Sequence, residues 1–448
     1  MYKQSHSKYS FLLFLLGLGS CTQIYFFGCI AISELVVFLI SPFLYISNYS
    51  EMRRLGFTKF LNMVLMVMVS LFISSWYNHT AFPFVFKSFA TIYSVWAYFV
   101  VYYKLLKNNL NGLKWMFIGV FISSIISIYA FNPTAQVSES GFAQIGDAEA
   151  EDIIGGPLFW LGKFKDLVHI PICGFYFNVP LIASILIPVT YLGVALATTV
   201  SGRASSIAII ISGVMIFVGR KKREKMASIG RHFFTYLILG LLALIAIKQA
   251  YVFAAKNGYL SDEALTKYEN QSAQGEGMLS LLMSGRTGFF TAIPAALNRP
   301  IVGYGPFARD EEGYAERFVL KYGSEQDIAI FRMSEQKAMM MGYKKPIPTH
   351  SYIMGAWIHY GIGGLIFYVW VLFLIYQHIK KYAAAIPQWY GYFAMMLPYY
   401  LWNIFFSPFG HRWQFALLMS CLFFARAVSN GLLQLPYSMI REVEEHEK

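Results

Sequence analysis

The sequence predicts an all-α, polytopic integral membrane protein with about 12 transmembrane helices and one large loop domain on the outer side of the membrane. Of the 448 residues, 57 % are hydrophobic and only 13 % are charged, which is half the charged fraction of a typical soluble domain. Apolar runs close to the roughly 20 residues that cross a bilayer as a helix recur along the chain. The net charge of +12 indicates basic cytoplasmic loops rather than a nucleic-acid partner. An ordinary soluble enzyme and a disordered chain are thereby excluded.

Residues 1–132 are predicted to form the N-terminal group of transmembrane helices. Two spans fit between about residues 10 and 48, a third runs roughly from 60 to 77, a fourth from 84 to 103, and a fifth ends near residue 131. Basic clusters follow the second span and flank the turn after the fourth. Because cytoplasmic loops carry an excess of Lys and Arg, these clusters assign both turns to the inside. Residues 133–174 are rich in Asp and Glu and are predicted to form the first outer segment.

Residues 175–252 are predicted to form the central transmembrane helices. Between the outer segment and a strongly basic patch at residues 220–231 the chain has two clear apolar runs. The patch should be cytoplasmic, yet two crossings would return the chain to the outside. We therefore infer one further crossing between residues 153 and 188, where prolines can divide helices into short or re-entrant pieces. About 11 spans are thus countable and one is inferred.

The rest of the chain divides into a loop, a last group of helices and a tail. Residues 253–349 form the large loop, which is polar and nearly neutral. Residues 350–430 are predicted to hold the C-terminal transmembrane helices, with single spans from roughly 351 to 376, 388 to 407 and 412 to 429. Residues 431–448 are highly charged and are expected to form a cytoplasmic tail.

Three arginines and one histidine stand beside apolar segments on the predicted outer side. These are Arg203, in a Ser-Gly-Arg turn between two apolar runs; Arg286 and Arg299, which flank a helix-like stretch from Thr287 to Leu297; and His350, which opens a span. Arginine binds phosphate through a planar, permanently charged fork, and histidine exchanges protons near neutral pH. We expect the apolar stretch to pack onto or dip into the membrane, at the depth of a lipid-linked diphosphate. For each residue the alternative of an interfacial or solvated side chain stays open.

Further candidates are His411 and Arg412, which begin the last span, and Tyr304, which lies in a Gly-Tyr-Gly-Pro turn. Aromatic side chains at this depth suit either sugar stacking or an interfacial aromatic belt. The sequence has no Walker A, dinucleotide-binding or HExxH motif and no CxxC pair, so no cofactor and no metal is expected. Acidic residues within spans, the usual mark of a proton-coupled carrier, are nearly absent, with Glu34 as the exception.

At these positions the chain resembles the O-antigen polymerase and O-antigen ligase superfamily of bacterial envelope glycosyltransferases. Three features carry the resemblance: the Ser-Gly-Arg turn before an apolar span and a basic patch; the large loop with MSGRTGFF and NRPIVGYGPF; and the segment THSYIMGAWIHYGIGG. Their order and spacing match the family pattern from about residue 175 to 376. The first 170 residues match in hydropathy only.

The resemblance implies a bacterial inner-membrane protein whose active site faces the periplasm, so that the large loop is periplasmic. It implies transfer of a glycan from undecaprenyl diphosphate to an acceptor sugar, without nucleotide, metal or other cofactor. Carried over residue by residue, it implies that Arg203 and Arg286 hold the diphosphate and that His350 assists the attack of the acceptor hydroxyl. The remaining substrate-binding candidates are Arg299, Tyr304, His411 and Arg412.

Two activities stay open within this superfamily. Ligases tend to have Ser-Arg-Gly and His-Asn where this chain has Ser-Gly-Arg and His-Ser. This departure favours a polymerase, which extends a lipid-linked repeat unit, over a ligase, which acts on the lipid A core. A chain-length regulator protein is an implied partner of a polymerase. A lipid-linked oligosaccharide flippase is the alternative from another class, but one large outer loop with arginines on one side favours an enzyme.

Overall fold

The computed structural model describes residues 2–20, 23–25, 29–130, 287–322, 325–340, 345–349, 351–383, 385–406 and 412–434, and short pieces at 186–187, 189–193, 209–210, 249–250, 253–254 and 257–259. Within these residues the chain is mostly α-helical, which confirms the prediction of an all-α fold. The crossing inferred between residues 153 and 188 falls almost wholly outside the described residues, as do most of the predicted central helices.

The N-terminal part contains five helices and one hairpin. Its elements are α1 (Tyr2–Leu18), β1 (Gln23–Tyr25), β2 (Cys29–Ala31), α2 (Ile32–Arg54), α3 (Thr58–Tyr77), α4 (Phe82–Asn108) and α5 (Leu113–Ala130). The two strands pair antiparallel, with Ile24 opposite Ile30. The hairpin could not be predicted from the sequence, because three-residue strands within an apolar run leave no detectable period. It separates two helices where the hydropathy pattern predicted two adjacent spans.

The large loop and the C-terminal part supply the other described helices. They are α6 (Thr287–Asn298), α7 (Tyr314–Tyr322), α8 (Glu325–Met340), α9 (Tyr352–Tyr360), α10 (Ile362–Gln377), α11 (Tyr390–Phe406) and α12 (Arg412–Ser429). A π-helical turn, His378–Tyr382, extends α10. Helices α11 and α12 coincide with the segments predicted at 388–407 and 412–429, so the sequence located these two helices correctly. That they cross the membrane stays a prediction.

Helix length and composition indicate a multi-pass membrane protein. Four described helices are long and apolar enough to cross a bilayer: α2, α3, α4, and α10 with its π-helical extension (Ile362–Tyr382). Ser7–Leu18 and Leu110–Ser123 are shorter apolar helical segments. The total of about 12 spans stays a prediction, because the central part of the chain lies outside the described residues.

An aromatic core joins the N-terminal helices to the C-terminal ones. The Phe60 ring of α3 lies 4.3 Å from the Phe99 ring of α4, measured between centroids. Phe423 of α12 lies 5.8 Å from Phe99, and Phe57, just before α3, lies 5.5 Å from Phe423. All four side chains are buried. Such pairs each stabilise a fold by about 0.5–1.5 kcal/mol beyond the burial of area, so these helices form one bundle.

The two ends of the bundle differ in charge. At one end Glu51 of α2 forms an ion pair with Lys107 of α4, and Trp389 Nε1–H donates to the Leu110 carbonyl oxygen over 2.9 Å. The basic residues of the turns belong to this end: Arg53, Arg54, Lys104, Lys107, Lys114, Lys380 and Lys381. We name this the inner end, because an excess of Lys and Arg is typical of the cytoplasmic loops that the sequence predicts. The opposite, outer end holds the start of α2 and the turn between α3 and α4.

The predicted single span from 351 to 376 is wrong, because Gly361 divides it into α9 and α10. Gly361 has φ +67°, a conformation that favours glycine, and a Cβ built on it would lie 2.0 Å from the Ile301 carbonyl oxygen. The same carbonyl accepts the Ile362 N–H over 2.9 Å. Beyond the break α10 crosses close to α9, since a Cβ on Gly364 would lie 2.2 Å from the Ala356 carbonyl oxygen. The large loop thus takes part in breaking the helix.

Candidate functional site

Helix α6 brings the apolar stretch of the large loop against α9. The helix predicted from Thr287 to Leu297 is confirmed, ending one residue later at Asn298. Its contact face is made of small buried side chains: Thr291, Ala292, Ala295 and Ala296. Residues three and four apart share one face of a helix, and small side chains allow two helices to approach closely. Helices α6 and α9 are in contact as this pattern requires.

The turn after α6 is bound by its backbone to the outer end of the bundle. The Tyr304 N–H donates to the Ile358 carbonyl oxygen over 2.7 Å, and Asn78 Nδ2 donates to the Gly303 carbonyl oxygen over 3.1 Å. Trp357 Nε1–H donates to the Pro300 carbonyl oxygen over 2.9 Å. Gly303 has φ +75°, and a Cβ there would lie 2.5 Å from the Ile358 oxygen. This segment, residues 298–305, is therefore held by α3 and α9 together, and we name it the docking turn.

Arg299 fastens the docking turn with its side chain. Nη1 donates to Asn78 Oδ1 over 2.9 Å, and the guanidinium carbon lies 4.7 Å from the centroid of the Tyr304 ring. Glu312 is 4.0 Å away, and the Arg299 side chain is 44 % exposed. These contacts give Arg299 a structural role. Its guanidinium group covers one face of the Tyr304 ring. Binding of substrate by these two residues stays a prediction, with less ring surface free for sugar stacking than the sequence indicated.

A hydrogen-bonded cluster follows the docking turn. Tyr304 Oη lies 2.7 Å from Tyr314 Oη, and the Tyr314 hydroxyl donates to Glu312 Oε2 over 2.6 Å. Asn298 Nδ2 donates to the Tyr314 hydroxyl over 2.8 Å. Burial and the hydrogen bond to Glu312 raise the pKa of the Tyr314 phenol. Asp310 accepts the first backbone N–H groups of α7, at 2.8 Å, and so caps that helix. These bonds fix the loop surface above the bundle.

Arg412 lies at the outer end of the bundle in a buried ion pair. Its Nη1 is 3.3 Å from Glu34 Oε1, with the two side chains only 15 % and 7 % exposed. Glu34 Oε2 also accepts the Ala31 N–H over 3.0 Å. The sequence treated Glu34 as an acid within a span, but it lies in the first turn of α2, where a carboxylate caps the helix. Arg412 was predicted as a substrate ligand, and its pairing with Glu34 was not foreseen.

Four predicted site residues, Arg203, Arg286, His350 and His411, lie outside the described residues. The described residues that follow Arg286 and His350 in the sequence show what the starts of α6 and α9 contact. Phe289, in the first turn of α6, lies 5.8 Å from Phe406 at the end of α11, measured between ring centroids. Ser351, which caps α9, donates through Oγ to the Ile404 carbonyl oxygen over 2.8 Å. The starts of α6 and α9 thus both contact the outer end of α11.

No group of three or more His, Cys, Asp or Glu side chains within the described ranges is placed to hold a metal ion. Comparison with known proteins adds no relative: no family model, no curated protein and no solved structure matches the chain. The resemblance to the O-antigen polymerase and ligase superfamily therefore stands on the sequence motifs.

Proposed function

We propose that this protein is a glycosyltransferase of the bacterial inner membrane, an O-antigen or related surface-polysaccharide polymerase with its active site facing the periplasm. The observation that carries the proposal is the meeting of α6 and α9 at the outer end of α11. Arg286 immediately precedes α6, and His350 immediately precedes the cap of α9. Because successive Cα atoms are about 3.8 Å apart, we propose that this permanent cation and this titratable group act next to the meeting point.

The proposed reaction needs a diphosphate ligand and a base. The acceptor hydroxyl oxygen forms a bond to the anomeric carbon of the lipid-linked glycan while the bond from that carbon to the diphosphate oxygen breaks. The electron pair of the broken bond leaves on the diphosphate, and Arg203 and Arg286 stabilise its growing negative charge. His350 accepts the proton of the acceptor hydroxyl. Attack from the face opposite the leaving group inverts the anomeric centre.

The other predicted ligands support this site from its edges. Arg299 and Tyr304 hold the docking turn, and hence α6, against α9 and α3. Arg412 joins the start of α12 to the start of α2 through Glu34. Both arginines lie at the outer end, where Arg412 is paired with Glu34 and Arg299 lies 4.0 Å from Glu312. Their direct contact with substrate is a further part of the proposal.

The polymerase activity is favoured over the ligase activity by two dipeptides. The chain has Gly202-Arg203 and His350-Ser351 where ligases tend to have Arg-Gly and His-Asn. A ligase would need the lipid A core as acceptor, whereas a polymerase needs only lipid-linked repeat units. A flippase would release no diphosphate. These differences make the three activities separable in one reconstituted system.

The test uses purified protein in liposomes with its undecaprenyl-diphosphate-linked repeat unit as the only glycan. We expect a ladder of lengthening glycolipids on a gel and release of undecaprenyl diphosphate. Product that forms only after addition of lipid A core would identify a ligase. Intact substrate under both conditions, with transfer of the glycolipid between leaflets, would identify a flippase and refute the proposal.

Variants test the proposed residues with matched controls. Arg203→Lys, Arg286→Lys and His350→Ala should each lower the rate of transfer at least about 100-fold, because a bidentate fork or a proton acceptor is lost. Arg332→Lys on α8 and His79→Asn in the turn between α3 and α4 alter the same residue types at exposed positions and should keep full activity. Full transfer by Arg286→Lys and His350→Ala would refute this mechanism even if the ladder formed.

A further inference from the structure

Helix α6 has an apolar edge that no other described part of the chain covers. Leu297, in the last turn of α6, is 61 % exposed, and Ile301, in the docking turn that follows, is 72 % exposed. Pro294 is exposed on the same side of the helix. Of the three described helices in the large loop, α6 alone contains no charged residue, whereas α7 and α8 each carry acids and bases. An uncharged helix with exposed apolar side chains is unusual on a loop that faces only water, and exposed apolar surface of this kind marks a contact with lipid or protein.

This edge continues the outward-facing stripe of α10. Ile362, Ile366, Val369 and Phe373 are 40 %, 46 %, 53 % and 52 % exposed. Their spacing of four, three and four residues puts them on one face of α10, a helix long and apolar enough to cross a membrane. The Ile362 N–H donates to the Ile301 carbonyl oxygen over 2.9 Å, so the last residue of the edge lies at the top of the stripe. The two apolar surfaces are contiguous.

The depth of the edge is marked by interfacial groups. Arg299, two residues from Leu297, donates to Asn78, and Asn78 follows Trp76 and Tyr77 at the outer end of α3. Trp76 and Tyr77 are 81 % and 61 % exposed. Trp and Tyr concentrate at the headgroup level, and an arginine there can keep its charged end in water. The apolar edge, which flanks Arg299 in the chain, therefore lies close to this level.

We propose that the edge formed by Pro294, Leu297 and Ile301 is embedded in the outer leaflet and faces acyl chains. The embedding stands without the proposed function. A consequence that does rest on the proposed function is that a lipid-linked donor reaches the start of α6 laterally from the bilayer. The large loop is then partly a membrane element, although its composition as a whole is polar.

The test measures the surroundings of single spin labels in liposomes. Leu297→Cys and Ile301→Cys are labelled in a chain whose native cysteines are replaced, with Val369→Cys as the lipid-facing reference and Met333→Cys as the reference on a charged loop helix. Met333 is 62 % exposed, which matches the two test positions. We expect the ratio of oxygen accessibility to nickel-chelate accessibility at Leu297 and Ile301 to match that of Val369, several-fold above that of Met333. A ratio equal to that of Met333 would overturn the proposal.

A second measurement needs no cysteine. Leu297→Asp and Ile301→Asp should lower the thermal unfolding midpoint in liposomes clearly more than Met333→Asp, because a carboxylate facing acyl chains is costly. Equal midpoints for the three variants would contradict the embedding. Neither measurement depends on glycan transfer. A lipid-embedded edge in a protein that forms no ladder would keep this inference and refute only the proposed function.

Discussion

Two arginines at the outer end of the bundle are used in opposite ways. Arg412 is 15 % exposed and forms an ion pair with Glu34, which is itself 7 % exposed. Arg299 is 44 % exposed and binds a neutral amide, Asn78, and the face of Tyr304. Removing one partner of a buried ion pair leaves an uncompensated charge, whereas water replaces the partner of an exposed arginine. Burial rather than charge thus decides how much the fold depends on each residue.

The largest effect is expected at the buried pair. Arg412→Gln should destabilise the protein by about 3–5 kcal/mol, because the Glu34 carboxylate is left buried without its partner. Glu34→Gln in the same chain should recover most of that loss. The measurement is thermal or denaturant unfolding in detergent for the two single variants and the double variant. A double variant that stays as unstable as Arg412→Gln would show that the pair is not the source of the effect.

Glycan transfer by the same double variant tests whether Arg412 also binds substrate. If it regains stability and keeps glycan transfer, Arg412 acts only in the fold. If it regains stability and transfer is lost, Arg412 also binds the donor. Stability and transfer are thereby measured on one protein, with the structural contribution already compensated.

The second effect concerns the backbone under Arg299. Gly303→Ala should destabilise by roughly 3 kcal/mol, because alanine is strained at φ +75° and its Cβ meets the Ile358 carbonyl oxygen. Gly431→Ala is the matched control: φ is +68° and nothing lies within 4 Å of the added Cβ. It should cost only about 1 kcal/mol. Equal losses in unfolding experiments would mean that conformation alone, and not the close approach to α9, requires Gly303.

A smaller effect is expected at the Arg299 side chain. Arg299→Ala should cost about 1 kcal/mol, because one charge-assisted hydrogen bond at a part-exposed position is lost. Asn78→Ala should cost a similar amount, and a double-mutant cycle should give a positive coupling between the two. A loss of stability as large as that of Arg412→Gln would contradict the expectation that the fold depends less on the exposed arginine than on the buried one.

The smallest effect is a dependence on pH above the physiological range. The raised pKa of the Tyr314 phenol means that the folded protein favours the neutral phenol more than the unfolded chain does. That contribution is complete below the unfolded value, near pH 10, and is lost as the pH rises toward the folded value. The unfolding midpoint should therefore fall more steeply above about pH 10 in the native protein than in Tyr314→Phe. Parallel curves would indicate that folding does not raise the pKa of the Tyr314 phenol.

Hydropathy located most of the described helices well. Spans predicted at 60–77, 84–103 and 412–429 correspond to Thr58–Tyr77, Phe82–Asn108 and Arg412–Ser429. The apolar stretch in the large loop corresponds to α6. These elements could be predicted because the length of an apolar run and the charges at its ends are local properties of the chain. The exceptions were the hairpin before α2, the division of the span at Gly361, and the two polar loop helices α7 and α8, which no apolar run marks.

By itself, the sequence determined the class of the protein, which is a helical membrane protein with several apolar helices and basic turns. It also predicted a site from arginines and a histidine that stand beside apolar segments. The tertiary structure alone decided which of these groups are paired. Glu34 meets Arg412 across a separation of 378 residues, and Asn78 meets Arg299 across 221. No local pattern encodes such partners, because each depends on how several helices pack together. Gly361 breaks its helix for the same reason, since the carbonyl that requires a glycine there comes from Ile301 in the large loop.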